Sequence, residues 1–409
     1  MTAARSHILD QASAIQYAEG QAAELTGDLK RAVQNYQTAL RLNPGNGESI
    51  TALGRLRFNP PPQPYLEELR AKLKTKVYTI VIEVRNPCNF RCFYCLAKGS
   101  NAEPVQKFDF DRIEKLFAHL EKIEHAMIVT NLECGGGEPT VHPEFPQLAR
   151  LGSRYGAFCF PSNNSQNPER WLPKEQAERI IINSALHPEG EAQIDKYIKN
   201  ARTLIDAGAR FQSVFICHPA RIHKVPEYRE LFAKHNIPFT PISFLGEHEG
   251  KIYPGSHTAE EQKLMGLTEG VAHWMHRIDP YVSKNRNFRG IPCLAGYQSF
   301  YLTNQGRLQR CYFDKKPIEA PLTKAEPCRI NHCSCGLMLE KLNLNDTGDM
   351  YNSCAKQAGD FPHFDDAEIL KKHGYDSASD AVLKEQTAMY DALMEAYGKT
   401  EYPEPIPRR

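Results

Sequence analysis

The chain has 409 residues, too many for one small core at about 150 residues per domain, so two or three units are expected. Lys and Arg number 50 against 49 Asp and Glu, a balance that gives no reason to expect nucleic acid or an anionic membrane as partner. The start of the chain lacks an apolar signal-peptide core and no run of about 18 apolar residues occurs, so a cytoplasmic protein without a membrane span is expected, in which twelve cysteines point to metal ligation or redox chemistry before disulfides.

Residues 1–58 read as a separate helical segment, with helices predicted over 9–23, 28–42 and 47–57. Gly20, Ala32, Tyr36, Ala39 and Pro44 resemble the tetratricopeptide (TPR) pattern, and Gly54, preceded by Leu53, falls one repeat period after Gly20. So short an array does not bury a continuous core alone. It must rest on the remainder of the chain, on a second copy or on a partner protein, and a plain helical cap and a partner-docking role both stay open. Pro60, Pro61, Pro62 and Pro64 interrupt any helix, so 59–75 is expected to be a linker.

From Lys76, short β-branched apolar runs alternate with amphipathic stretches, the pattern of an α/β unit with a parallel sheet. Strands are predicted at 78–84, 126–133, 156–160, 180–185, 211–217 and 238–244. Helices are predicted near 109–122, 143–154, 173–179, 192–207 and 225–235.

Directly after the first of these strands, Cys88, Cys92 and Cys95 form a C-x3-C-x2-C loop. Three thiolates on a cube-shaped iron–sulfur cluster leave one iron without a protein ligand. With Tyr94 just before the third cysteine, the loop resembles that of the radical S-adenosylmethionine (SAM) superfamily. The stretch Cys134 to Thr140 resembles the second motif of that superfamily, G-G-E-P. By this resemblance Gly136, Gly137, Glu138 and Pro139 bind SAM. Glycines permit close backbone approach to a ligand, and a carboxylate suits the methionine ammonium. A zinc site and a mere glycine turn are the bland readings, and a zinc site ordinarily wants a fourth protein ligand.

The resemblance implies a partial (β/α)6 TIM-like barrel over 76–250, with both motifs at the C-terminal ends of strands, where such barrels keep their reactive groups. Later strand ends should then line the site. Asn163 or Asn164 is expected to reach the SAM ribose or the substrate. Asn183, Ser184, His187, Cys217, His218 and Arg221 are substrate-contact candidates, although His-Pro pairs are commonly turns. Cys134 and Cys159 read as core thiols. Residues 246–262 are either a substrate-facing loop or a connector.

Beyond the barrel, 251–354 carries Cys293, Gly306 and Cys311, which resemble the opening of a SPASM or Twitch extension. A hairpin is expected around 303–306. Cys328, Cys333, Cys335 and Cys354 follow. A small C-terminal cluster-binding extension with one auxiliary iron–sulfur cluster is expected, on Cys293, Cys311, Cys333 and Cys335, with Cys328 and Cys354 as alternatives and a structural zinc site as the competing reading. Residues 355–409 show helical stretches at 365–373 and 377–397 and no chemistry.

The resemblance implies that an external one-electron donor of flavodoxin or ferredoxin type reduces a 4Fe-4S cluster. SAM is then cleaved to methionine and a 5′-deoxyadenosyl radical, which abstracts hydrogen from a small metabolite or sugar-like substrate. A peptide or protein maturase of the SPASM type is the alternative, and an iron–sulfur electron-transfer or scaffold protein is the non-enzyme alternative.

Overall fold

The computed structural model describes residues 3–57, 61–73, 76–84, 87–95, 105, 107–133, 137–266, 292–329 and 366–376, with helical positions at 381, 384, 385, 388 and 392. The chain opens with three helices, α1 (Ala3–Leu25), α2 (Leu29–Leu42) and α3 (Gly47–Arg57). Ala32, Tyr36, Ala39 and Leu53, which the sequence pattern singled out, are buried, and Ala23 and Ala52 join Ala32, Tyr36 and Leu53 in one apolar cluster. Gly20 is where α1 meets the Tyr36 ring, since a Cβ there would stand 2.5 Å from the ring carbon Cε1. The Tyr36 hydroxyl donates to Glu24 at 2.9 Å, and Arg55 of α3 pairs with the same carboxylate. One ion pair and one aromatic ring thus join all three helices.

The expected linker contains a helix, α4 (Pro64–Leu73). Pro64 stands in its first turn, where a missing N–H interrupts nothing, so the proline starts a helix instead of breaking one. The far end of the chain holds this helix. Glu385 accepts the backbone N–H groups of Tyr65 and Leu66 at 3.0 and 3.1 Å, which satisfies donors that a helix start leaves unpaired. Tyr65, Leu66 and Leu69 share an apolar cluster with Ile369, Leu370 and Ala381.

Six strands follow in the predicted places: β1 (Lys76–Glu83), β2 (Ala126–Glu133), β3 (Ala157–Ser162), β4 (Ile180–Ala185), β5 (Arg210–Cys217) and β6 (Phe239–Ser243). They pair in parallel and in sequence order, and the sheet continues beyond β1. There β10 (Ser299–Leu302) runs parallel to β1, with Thr79 opposite Ser299 and Ile82 opposite Leu302, and β11 (Leu308–Gln309) returns antiparallel. The expected hairpin at 303–306 joins these last two strands. Gly306 has φ of +72° and donates its N–H to Thr303 O at 2.8 Å, a conformation that a side chain disfavours. The sheet remains open, with β6 and β11 as its end strands.

Four helices cover one face: α5 (Phe110–Leu120), α6 (Phe145–Tyr155), α7 (Ile194–Asp206) and α8 (Val225–Lys234). In α5, Ile113, Leu116, Phe117 and Leu120 recur at helical spacing and are buried, while Asp109 caps the first turn by accepting from Arg112 N at 3.1 Å. Alternation along β5 sends Phe211, Phe215 and Cys217 into the core shared with α7 and α8. Each such aromatic contributes roughly 1.5–3 kcal/mol by burial. The expected helix at 173–179 is a 3-10 segment, Lys174–Arg179. After β6 come a short hairpin, β7 (Gly246–His248) and β8 (Lys251–Tyr253), and then α9 (Ala259–Leu264). A two-residue pair, β9 (Pro292–Cys293) with β12 (Glu326–Pro327), belongs to the extension, and α10 (Ala367–His373) packs on α4. No helix among the described residues is long and apolar enough to cross a membrane.

Candidate active site

The cysteine loop leaves the C-terminal end of β1 as a compact turn. Cys95 N–H donates to Cys92 O at 3.1 Å, and Cys88 Sγ accepts from Phe90 N–H at 3.4 Å. Two neighbouring strand ends grip the loop. Glu189, on a single helical turn Pro188–Glu191 after β4, accepts Arg91 N–H at 2.7 Å and stands 3.3 Å from Cys92 Sγ. Asn163, after β3, donates to Asn89 at 3.0 Å and lies 3.9 Å from Cys88 Sγ. All three cysteines are half-buried. Burial pushes the Cys88 and Cys92 thiols up. Glu189, Cys88 and Cys95 add to the rise at Cys92, and Glu138 and Cys95 add to that at Cys88. These thiols therefore sense one another, and binding as thiolates to a metal group would relieve that cost.

Among the described residues, no three Cys, His, Asp or Glu side chains close on a point as they would around a single ion.

Beside this loop lies Glu138, the carboxylate of the second motif, 2% exposed. It accepts from the backbone N–H and hydroxyl of Thr140, from Ser162 Oγ at 2.8 Å and from Asn163 N–H at 2.6 Å. Burial raises its pKa, and those hydrogen bonds oppose the rise. The carboxylate is thus engaged first by the protein itself, tying the end of β2 to the end of β3. Gly137 has φ of +120° and Pro139 opens a 3-10 turn. Gly136 and Cys134 lie outside the described residues.

Tyr94 joins a cluster of rings with His187, His218 and Phe244, at centroid distances of 5.9, 5.7 and 6.4 Å, and Cys92 packs against the same cluster. Its hydroxyl meets Arg221 Nη1 at 2.6 Å and His187 Nδ1 at 2.9 Å. The β7–β8 hairpin packs over this cluster, with Tyr253 against Phe244 and His248 against His218.

The structure divides the remaining candidates. His187, His218 and Arg221 gather at the end of the sheet that carries the cysteine loop. Cys217 does not, because strand alternation buries it in the helix-side core, where burial lifts its thiol to about 12. Ser184 likewise faces α7, held by the Tyr197 hydroxyl at 2.9 Å. Asn164 is structural, donating to Tyr197 O at 2.9 Å and accepting from Asn200 at 2.8 Å. Cys159 is buried, as a core thiol should be. Sequence reasoning passed over Glu189 and Glu191. The signal for both was a proline followed by acidic residues, which marks a helix start.

In the extension, Cys293, Cys311 and Cys328 are described, while Cys333, Cys335 and Cys354 lie outside the described residues. Cys293 pairs in register with Glu326, two residues before Cys328. Cys311 Sγ accepts from Asp314 N–H at 3.3 Å. Burial raises the Cys311 thiol, with Cys328 adding to the rise. Arg310, 4% exposed, fastens these segments by donating to Ala295 O at 3.0 Å, Glu326 O at 2.8 Å and Pro327 O at 3.1 Å. Cys328, ranked as a substitute from spacing, stands beside Cys311.

No family model matches the chain. Among curated proteins it is similar to the GTP 3′,8-cyclase of Chlorobaculum tepidum, 37% identical over 70 residues, which is 17% of this chain and 20% of that one. A probable GTP 3′,8-cyclase of Thermoplasma volcanium is 21% identical over 190 residues, 43% of this chain and 56% of that one. The 7,8-dihydro-6-hydroxymethylpterin dimethyltransferase of Methanocaldococcus jannaschii is 31% identical over 75 residues, 18% of this chain and 14% of that one. The chain thus spans between about a seventh and just over half of the length of these relatives. Among solved structures, Streptococcus suis SuiB bound to SAM superposes with a TM-score of 0.39 at 14% identity, over 75% of this chain and 73% of that one. Native anSMEcpe with bound SAM superposes with a TM-score of 0.41 at 13% identity, over 78% and 98%.

A parallel sheet presents a three-cysteine loop at the end of its first strand and a buried glutamate after its second. Its cysteine loop and its glycine–glutamate stretch resemble the two motifs of the radical SAM superfamily.

Proposed function

We propose that the protein binds a 4Fe-4S cluster through Cys88, Cys92 and Cys95 and uses it to cleave SAM and abstract hydrogen from a small-molecule substrate. When bound there, the cluster and SAM supply the reducing electron and the radical. The observation that carries this reading is the bridge made by Asn163, whose backbone N–H binds Glu138 at 2.6 Å while its amide lies 3.9 Å from Cys88 Sγ. The cysteine loop and the glutamate motif are thereby held as one unit.

Within that unit each side chain has a definable task. Glu138 places a carboxylate behind the strand end and orders Asn163. Glu189 and Asn89 fix the loop backbone. Gly137 provides the side-chain-free approach that a bound methionine moiety requires. The ring cluster of Tyr94, His218 and Phe244 excludes water from one side, which protects a reactive radical. Cys88→Ala should abolish 5′-deoxyadenosine formation by the reconstituted, dithionite-reduced protein, and retained formation overturns the assignment.

The small-molecule reading is supported by the curated relatives, whose names specify a nucleotide and a pterin. Peptide maturation remains the alternative to be tested by full turnover without residues 1–58, which a peptide-recruiting segment would not permit. A flavodoxin- or ferredoxin-type donor is proposed to deliver the electron, in a reducing cytoplasm with which free cysteines are compatible. The TPR-like helices α1 to α3 are proposed to dock a partner. A Twitch-like auxiliary iron–sulfur cluster is proposed on Cys293 and Cys311 with two of Cys328, Cys333, Cys335 and Cys354, supported by the N–H donated to Cys311 Sγ and by the closeness of Cys328.

A further inference from the structure

The Arg221 side chain is 5% exposed and has three kinds of partner. Its Nε and Nη2 bind the Glu191 carboxylate, Nη2 also donates to Leu186 O at 2.9 Å, and Nη1 donates to the Tyr94 hydroxyl at 2.6 Å. Lys224 Nζ completes the anchorage on Glu191 at 2.7 Å. A guanidinium has only donors, so at this contact the Tyr94 oxygen must accept. Its own hydrogen then has one recorded acceptor among the described residues, His187 Nδ1 at 2.9 Å. An imidazole that accepts at Nδ1 carries its hydrogen at Nε2. Burial and Arg221 lower the His187 pKa to about 4, so the ring stays neutral at physiological pH.

The other end of this ring has no recorded protein acceptor. His187 Nε2 makes no hydrogen bond among the described residues and is not fully buried, so it is a donor left for a ligand or solvent. It sits between the loop, through Tyr94 and Phe90, and the end of β4. We propose that Arg221 and Tyr94 are positioning residues that fix His187 as a hydrogen-bond donor through Nε2–H to an acceptor atom, a ring nitrogen or oxygen, on a heterocyclic ligand bound at the cysteine loop. The inference rests on the reading above that this loop is a ligand site. Phe93, 54% exposed and packed edge-on against Tyr94 and His218, presents an aromatic ring next to this cluster, which favours a flat ligand over an aliphatic one. The donor assignment also gives the Tyr94 hydroxyl a role inside the protein: its hydrogen is spent on His187.

Calorimetric titration of the anaerobically reconstituted full chain tests this with two heterocyclic probes, S-adenosylhomocysteine for the cofactor and GTP for a nucleotide substrate. His187→Phe removes the donor and should weaken one of the two by about tenfold, and the probe affected identifies the source of the acceptor. His187→Gln keeps an acceptor towards Tyr94 and a donor outward, and should restore affinity to within about threefold. Tyr94→Phe should weaken the same probe, and by less in the His187→Phe background than in the wild type, a coupling that a packing role alone would not give. Should His187→Phe lose its cluster, the Tyr94→Phe and His187→Gln variants carry the test. Wild-type affinity for both probes in His187→Phe, or additivity of the two substitutions, overturns the donor assignment. Failure of the reconstituted wild type to bind either probe overturns the reading of the loop itself.

Discussion

Glu138 Oε2 accepts the backbone N–H of Asn163 at 2.6 Å, so the strand end of the second motif is bonded directly to the turn that touches Cys88. Two stretches separated in sequence share one buried carboxylate, and the geometry of the site depends on it. Glu138→Gln turns an acceptor of at least four hydrogen bonds into a group that must present an NH2 to some of its donors. The variant should lose about 1–3 kcal/mol of stability. Its SAM affinity should fall by about tenfold or more. Urea melts and calorimetry check both, and an unchanged midpoint would remove the tying role.

Cys311 and Cys328 provide a test of the auxiliary site. Cys311→Ser or Cys328→Ser should lower the iron and sulfide content of the reconstituted chain. Formation of 5′-deoxyadenosine without added substrate should persist, because the barrel cysteines are separate residues. Zinc in place of the missing iron in the purified wild type would establish the structural-metal alternative.

Gly20→Ala sets helix propensity against packing. Alanine in a helix gains about 1 kcal/mol over glycine. The new methyl carbon would stand 2.5 Å from the buried Tyr36 ring, which Glu24 holds by its hydroxyl. Overpacking of that kind costs about 1–3 kcal/mol, so net destabilisation is expected. Hydrogen exchange across α1 and α2 measures it, and increased protection would show that the ring yields.

The same helices carry an acid-sensitive element. Arg55 holds the Glu24 carboxyl below its ordinary value of 4.5, with help from the Tyr36 hydroxyl. A carboxyl with a depressed folded pKa stabilises fully above its unfolded pKa and loses that contribution as pH falls through the folded one. Protection of α1 and α3 should therefore decline on acidification below about pH 4.5. Glu24→Gln should be less protected at pH 7 and should show a shallower decline. An equally steep decline in that variant would assign the effect elsewhere.

Much of this fold is legible along the chain. The six parallel strands sit where β-branched runs predicted them, because burial between layers demands such runs whatever the neighbours are. The hairpin at Gly306 and the buried faces of α1 to α3 follow from equally local rules. The parallel pairing of β10 with β1 was not legible, since a strand of four residues leaves no periodic signature and the partner is more than two hundred positions away. Nor was α4, because prolines announce a break as readily as a first turn, and its cap, Glu385, comes from the other end of the chain.

What the sequence determined by itself is the set of groups that could carry a chemistry: three thiols on one loop and a glutamate behind glycines, readable because residue spacing and backbone freedom are properties of short segments. Tertiary structure alone decided which polar strand ends serve that chemistry. Strand alternation turns Ser184 and Cys217 into the core, while Arg221, Tyr94 and His187 are brought together from three different strand ends. A one-residue step along a strand reverses the face a side chain presents, and only packing against the helix layer fixes which face that is.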